Sequence, residues 1–431
     1  LSDAEIQSAA PLLAVLPAHV QQSGFDVVVF SRVIVFLSDA QAKVVAKKVL
    51  QLLRPEGVVV FRESCFSEPF PVVPASLTPT YRHPSFYVGC FGSAYIEGEV
   101  QGFSYLDFVL CTSLAVYRQA AATHGELCFV YKKVAQPGDQ EAENSRGRSA
   151  SEQMDSFQTF LDKQQYSNAS ITRYENIFGA GYVSTGGQQT TTEFVTKLAL
   201  TPGQRVLDVG CGIGGGDFFM ANTFGVSVLG IDLSTNMVFR AMEQFPMSFR
   251  PGITTQTEAT ELADAAPDVA FEICDATSKH FPPGSFDVIY SRDTILHIEG
   301  KAALFAQFLS WLKPGGKLLI SDYCCGEPNS QPPSQSFTSY VKRRGYSLLS
   351  PTQYGALLAS VGFEEVVAED RTNQFMEVLS DELERTKRGK EAFIEETSEA
   401  DYNAIVQGWE AKLARCGDGD QKWGLFLATK R

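Results

Sequence analysis

The stretch Val206–Gly216 constrains this chain more than any other. It reads Val-Leu-Asp-Val-Gly-Cys-Gly-Ile-Gly-Gly-Gly, so β-favouring residues run past the carboxylate of Asp208 into glycine at every second position and then at every position. That predicts a strand ending in a tight turn whose backbone approaches a ligand closely, with a helix starting just after it. The spacing Gly210-x-Gly212-x-x-Gly215 also fits a dinucleotide fingerprint, and Asp208 separates the two readings. A carboxylate two residues before the first glycine repels a pyrophosphate and suits the ammonium group and hydroxyls of S-adenosylmethionine. No Lys-Ser/Thr follows the glycines, which excludes a phosphate-gripping P-loop.

A chain of 431 residues, 44% of them apolar, can build two domains or one domain with a large appendage. The formal charge of −14 argues against nucleic acid or an anionic membrane as the main partner. It leaves room for a small anion held by a few local cations. Nine cysteines without a CxxC pair fit free thiols in a reducing compartment. No apolar run is long enough to span a bilayer, the start is unlike a signal peptide, and the expectation is a soluble cytosolic protein.

Residues 1–24 pattern as a helix. A strand over Phe25–Arg32, a helix over Ala40–Leu53, a strand over Gly57–Phe61 and a strand over Glu126–Tyr131 follow. Residues 136–153 are almost devoid of apolar side chains, which predicts a flexible linker between domains at 1–135 and 154–431. From 154 on, strands and helices alternate. The strands are expected at 205–209, 226–231, 270–274, 286–290 and 317–322, which implies a parallel sheet covered by helices. Helices near 335–344 and 351–360, a strand at 363–369, helical pieces over 374–415 and a last strand Trp423–Thr429 complete the pattern.

The two halves share a repeat. Phe25-Asp-Val and Ser31-Arg32 mirror Phe286-Asp-Val and Ser291-Arg292, and Leu53-Arg-Pro-Glu-Gly57 mirrors Leu312-Lys-Pro-Gly-Gly316. On this alignment Val33 stands for Asp293, Leu37 for His297 and Ser64 for Tyr323. Only 24 residues precede Phe25, so the first copy is expected to lack the glycine loop and to be a degenerate, inactive half of the same fold.

In an open α/β sheet the ligand sits at the carboxyl ends of the strands. Asp208, Asp232, Asp275 and Asp322 fall at such ends, with Arg292, Asp293, His297 and Tyr323 beside them. Asp232 is placed to accept both ribose hydroxyls, and Asp275 to accept from the adenine amino group. A single carboxylate at a strand end is commonly a helix cap, but several in register point to a site. His297, with an ordinary pKa of about 6.5, is suited to take a proton from an ammonium substrate. The histidines His19, His83, His124 and His280 read as structural.

The motifs Gln165-Tyr166, Tyr174–Gly179, Gly181–Ser184, Thr185–Gly187, Val206–Gly216, Gly230–Asp232, Tyr290–His297, Leu319–Cys324, Tyr340–Tyr346 and Trp423–Thr429 resemble the phosphoethanolamine N-methyltransferases. The match covers essentially all of 156–431. With its blunted first half, the chain is similar to the two-domain nematode type that keeps an active C-terminal domain. The resemblance implies a class I, Rossmann-like methyltransferase domain with a helical lid. It implies methyl transfer from S-adenosylmethionine to phosphomethylethanolamine and phosphodimethylethanolamine, giving phosphocholine. By position, Tyr166 and His297 would be the catalytic pair, and Gln165, Tyr174 and Asp293 would surround the amine. Tyr323, Tyr340, Arg344, Tyr346 and Lys412 would hold the phosphate. Val183, Ser184, Asp208, Gly210, Asp232, Leu233, Asp275, Ala276 and Arg292 would line the cofactor.

Read on residues alone, Tyr340 and Tyr346 also fit core tyrosines, and Arg344 and Lys412 fit solvated charges. Two other functions remain open at this point: methylation of another small amine, and a cofactor-binding regulator without turnover. The expected partner is a small phosphobase, with no metal, nucleic acid or stable membrane association, and the expected state is a monomer.

Overall fold

A computed structural model describes residues 24–66, 79–97, 102–113, 125–137, 161–248, 268–328 and 331–431. They divide into two compact units, one running to Phe160 and including 272–274, the other made of 161–271 and 275–431. The expected helix over 1–24 lies outside the described residues but for Gly24.

The first unit is built on β1 (Phe25–Ser31), β2 (Leu53–Ser64), β3 (Tyr95–Glu97), β4 (Gly102–Ser113) and β5 (Glu126–Pro137). A helix Asp39–Leu52 connects β1 to β2 and opens on a capping box, in which the Ser38 side chain accepts from Gln41 and the Gln41 side chain accepts from Ser38. The strand order is β1-β2-β5-β4. β1 and β2 are parallel, and β5 and β4 add in antiparallel fashion. Aromatic rings fill the core: Phe61 stacks within 5.0 Å of Phe30, Phe91 and Phe129. The helix Pro84–Gly92 and strand β4 were not foreseen from the sequence. Of the expected linker, Gln136 and Pro137 belong to β5, and the rest lies outside the described residues.

The second unit carries β6 (Arg205–Val209), β7 (Ser227–Asp232), β8 (Val269–Ile273), β9 (Phe286–Arg292), β10 (Leu312–Cys325), β11 (Glu364–Asp370) and β12 (Gln421–Thr429). Their order is β8-β7-β6-β9-β10-β12-β11. The chain lays β6, β7 and β8 outward in one direction, then returns to place β9 parallel to the other side of β6. The topology therefore switches between β6 and β9, and the crevice at their carboxyl ends is where such sheets hold ligands. β10 is parallel to β9, and β12 and β11 close the sheet in antiparallel fashion. The interior is close to fully apolar: Val206, Leu207, Val288, Ile289, Leu319 and Ile320 are each at most 1% exposed.

The repeat is visible in the pairing, with a corrected register. Ser31 pairs with Arg62 as Arg292 pairs with Ser321, and both units share the order of these four strands. Arg32 and Asp293 each turn into a left-handed conformation (φ +53° and +50°) and donate a backbone N–H to the next strand. The counterpart of Asp293 is thus Arg32, not Val33, and that of His297 is Phe36, not Leu37. The sequence alignment slipped by one because Ser-Arg occurs in both copies one residue out of structural step. Where Asp293 accepts from the indole of Trp423 on β12, Arg32 donates to Glu126 on β5 at 2.6 Å. Glu126 also takes Arg62 and the Ser64 hydroxyl, so the site-equivalent end of this unit is closed by its own ion pairs.

Candidate active site

The turn after β6 depends on the missing side chains of its glycines. Gly210 has φ +86°, and a Cβ there would lie 2.0 Å from Oγ1 of Thr294. At Gly215 a Cβ would lie 2.1 Å from the carbonyl oxygen of Gly181, which packs a second loop against the turn. The Gly212 Cβ position falls 2.9 Å from Val183, so Val183 faces the glycines, with Ser184 next to it in the chain. The helix Gly215–Phe224 starts directly after the turn, as the sequence requires.

Three carboxylates gather beside it. Asp208 is buried, its Oδ1 without a hydrogen-bond partner, and burial pushes its carboxyl up to about 7. Asp217, in the first turn of the following helix, is buried without a partner on either oxygen, and burial together with the neighbouring Asp208 raises it. Asp232 ends β7, where its oxygens accept from the backbone of Gly212 at 3.0 Å and Ser234 at 2.8 Å. Burial raises it to about 6 even so. Burial pushes these carboxyls toward their neutral forms, and a cationic, hydroxyl-bearing ligand such as S-adenosylmethionine, unlike a pyrophosphate, would favour their ionisation. Asp275 is exposed and closes its own turn, with Oδ1 accepting from the backbone and hydroxyl of Thr277. Leu233 and Ala276 are half-buried at the neighbouring strand ends.

Arg292 turns its side chain to protein acceptors. Its guanidinium is 7% exposed and donates to Thr191 Oγ1 at 2.7 Å and to the Thr185 carbonyl and Thr190 Oγ1 at 3.0 Å, and it lies over the Phe194 ring. The cation braces the loop before helix Gly187–Lys197 with protein acceptors. Asp322 also departs from the ligand edge: it is fully buried, accepts from its own strand at Tyr323 and from the Tyr354 hydroxyl, and anchors the sheet.

Across the switch point lies a second cluster. Asp293 Oδ1 accepts from the Trp423 indole N–H at 3.0 Å, while Oδ2 is buried and without a partner. Two residues further, the 3-10 turn Ile295–His297 carries His297. The His297 ring meets Tyr346 edge-on at 5.1 Å. Burial, then the charges of Arg344 and Lys301, lower its pKa to about 4. Tyr346 comes back over this turn because helix Gln335–Arg344 ends at Gly345 (φ +65°) with a reversal in which Tyr346 N–H donates to Val341. Ser347 N–H then donates to the Leu296 carbonyl at 2.7 Å, tying the two segments together.

Helix periodicity supplies the rest. Phe337, Tyr340 and Arg344 fall on one side of helix Gln335–Arg344, and Trp409, Lys412 and Arg415 on one side of helix Glu399–Gly417. Tyr323 and Tyr340 each meet Tyr346 edge-on, at 6.4 Å and 5.8 Å. Lys412 donates to the Tyr323 hydroxyl at 3.4 Å and sits over the Trp409 ring at 4.4 Å. Burial holds Lys412 down at about 8. Arg415 lies 3.9 Å over the Tyr340 ring. Among the described residues no carboxylate forms an ion pair with Arg344, Lys412 or Arg415. Burial opposes the charge of Arg344, and the phenols of Tyr346, Tyr340, Tyr174 and Tyr166 more than offset it. Three cations without carboxylate partners, set among tyrosine side chains, can hold an anion in an acidic protein.

Tyr166 joins both clusters. It follows a single π-helical turn, Leu161–Gln165, whose Asp162 accepts from the Ser234 hydroxyl at 2.5 Å and so caps helix Thr235–Ser248. The Tyr166 carbonyl accepts from Asn236 at 2.9 Å, and Tyr166 packs, as Val183 does, against the cluster of Ile171, Ile213 and Met237. Burial raises its phenol, with Tyr174, Asp232 and Asp293 adding to the effect. Gln165 is buried with Nε2 unpartnered. Arg415, Trp409, Asp217 and Glu382 were not identified from sequence; the 409, 412, 415 spacing was the one available signal for the first two. Among the described residues no group of side chains could hold a metal, and no helix is long and apolar enough to cross a membrane.

Comparison with known proteins agrees with this geometry. Residues 186–369 match a methyltransferase domain family. Phosphoethanolamine N-methyltransferase 1 of Arabidopsis thaliana is 43% identical over 411 residues, 95% of this chain and 77% of that protein. The phosphoethanolamine N-methyltransferase of Plasmodium falciparum is 34% identical over 281 residues, 65% of this chain and 98% of that protein. Among solved structures, phosphoethanolamine N-methyltransferase 2 of Haemonchus contortus, in complex with phosphomonomethylethanolamine and S-adenosylhomocysteine, superposes with a TM-score of 0.78 at 28% identity. The match covers 95% of this chain and 85% of that one. The fold is that of class I S-adenosylmethionine-dependent methyltransferases, and the chain belongs to the phosphoethanolamine N-methyltransferase family.

Proposed function

We propose that this chain methylates the amine of phosphomethylethanolamine and phosphodimethylethanolamine with S-adenosylmethionine, giving phosphocholine. The observation that carries the substrate assignment is an unpartnered carboxylate oxygen on Asp293 set near Arg344 and Lys412, which form no ion pair among the described residues. A zwitterion with an amine at one end and a phosphate dianion at the other answers both.

S-adenosylmethionine supplies an electrophilic methyl group on a sulfonium, and Val183, Ser184, Asp208, Gly210, Asp232, Leu233, Asp275 and Ala276 would hold it. Arg292 we assign to bracing the Thr185–Thr191 segment. Arg344, Lys412, Tyr323, Tyr340 and Tyr346 bind the phosphate, and Gln165, Tyr174 and Asp293 surround the amine. Cations favour carboxylates and aromatic faces, which suits that set. An amine cannot attack while a proton occupies its lone pair. His297 takes that proton, and Tyr166 holds the nitrogen in line. With its pKa near 4, His297 is neutral at pH 7 and ready to accept. Phosphate bound at Arg344 offsets the charge that depresses His297, so the base strengthens when substrate is seated.

We assign the second unit to catalysis and the first to a degenerate copy, on the strength of Arg32 and Phe36 standing where Asp293 and His297 stand. Methyl transfer assayed with the unmethylated, monomethyl and dimethyl phosphobases in turn tests the reading. Turnover of the last two supports it, and cofactor binding without turnover on any phosphobase overturns it.

A further inference from the structure

Glu382 lies on the buried stripe Phe375, Leu379, Glu382, Leu383 and Thr386 of helix Thr372–Arg388 and is 1% exposed. Among the described residues it forms no ion pair; its two oxygens reach in different directions. Oε1 accepts from the backbone N–H of Gly186 at 2.8 Å, and Oε2 accepts from the Trp409 indole N–H at 2.9 Å. Gly186 sits at the start of helix Gly187–Lys197 in a left-handed conformation (φ +78°), directly after Val183, Ser184 and Thr185. Trp409 is the ring beneath the Lys412 ammonium. One buried carboxylate thus joins the loop assigned to the cofactor to the cation assigned to the phosphate.

We infer that Glu382 is a positioning residue that couples the two ligand sites, so that a filled cofactor site tightens phosphobase binding and the reverse. The inference rests on the phosphobase reading given above. A displacement of Gly186 moves the carboxylate it donates to, and with it Trp409 and the Lys412 amine. Reciprocity follows from linkage.

The test is calorimetric: the Kd of phosphomethylethanolamine with and without saturating S-adenosylhomocysteine, for the full chain and for Glu382→Gln and Trp409→Phe. The glutamine leaves one oxygen for two donors. The phenylalanine removes the indole N–H and keeps a ring under Lys412. The product should tighten the phosphobase on the order of 5-fold or more in the wild type, and the ratio should fall to about one in both variants while product binding alone persists. A second readout is the alkaline limit of phosphobase binding. Lys412 faces Glu382, Arg415, Asp293, Arg344 and the Tyr323 hydroxyl, and Glu382 supports its charge. That limit should move to lower pH in Glu382→Gln and stay in place in Trp409→Phe. A purely structural role would weaken both ligands and leave their ratio and the pH limit alone. An unchanged ratio in the variants, or a wild-type ratio of one with phosphobase still bound, overturns the coupling. Wild-type protein that binds S-adenosylhomocysteine and no phosphobase sinks both this inference and the reading beneath it. If Glu382→Gln does not fold, Trp409→Phe decides alone.

Discussion

Replacing Lys412 with methionine removes a charge that the folded chain carries at a cost. Burial takes the ammonium from its ordinary 10.5 to about 8, and each tenfold is worth about 1.4 kcal/mol, so the penalty is on the order of 3 kcal/mol. It is present in full below pH 8, where the lysine is charged in both folded and unfolded chains. It fades as pH rises toward 10.5. Methionine has similar length and can pack on the Trp409 and Phe375 rings that the lysine stem covers. The free variant should therefore melt higher at pH 7, by roughly 6–12 °C given about 2–4 °C per kcal/mol for a unit of this size. The gap should narrow at pH 10. Function moves the other way. Losing a charge-assisted hydrogen bond to the phosphate costs about 1.5–3 kcal/mol, a rise in KM of roughly 10- to 150-fold. Thermal melts at the two pH values and initial rates against phosphobase concentration give both numbers. A variant less stable than wild type at pH 7 with an unchanged KM would refute the reasoning.

Asp293→Asn keeps an acceptor for the Trp423 indole and removes the charge facing the amine, so phosphobase KM should rise roughly tenfold or more while calorimetry finds product binding intact. Gly210→Ala puts a Cβ 2.0 Å from Thr294 Oγ1 at φ +86°; melts should show a loss of more than about 2 kcal/mol, with cofactor binding lost. In the free protein the His297 ring should titrate near pH 4 by NMR, because burial and two cations disfavour its charged form; a midpoint at or above its ordinary 6.5 contradicts the site electrostatics.

What the sequence disclosed follows the range of the interactions. The β6 turn is local: Asp208, Gly210 and the helix after them are written in eleven consecutive residues, and the strand bounds at 205–209 match. The helices expected near 335–344 and 351–360 lie at Gln335–Arg344 and Pro351–Val361, and their Ser334 and Ser350 caps are local features too. The repeat was recognised, but its register was not, because pairing of Ser31 with Arg62 is a non-local fact. Arg292 and Asp322 show the limit most clearly. Both stand at strand ends, yet Thr185, Thr190 and Thr191, about a hundred residues away, take up the first, and Tyr354 takes up the second. Glu382 and Trp409 meet across helices with nothing in either stretch to announce it. Strand β4 was missed although Phe103, Tyr105, Phe108 and Val109 supply the β-favouring composition of a strand.

The central claim is that His297 takes the amine proton at a site that binds cofactor independently of it. The most direct measurement is methyl transfer to phosphomethylethanolamine by His297→Ala, with S-adenosylhomocysteine affinity measured on the same preparation. The account predicts product affinity close to wild type and a loss of kcat of roughly 100-fold or more, the contribution expected of a general base. Turnover within a few-fold of wild type would contradict it.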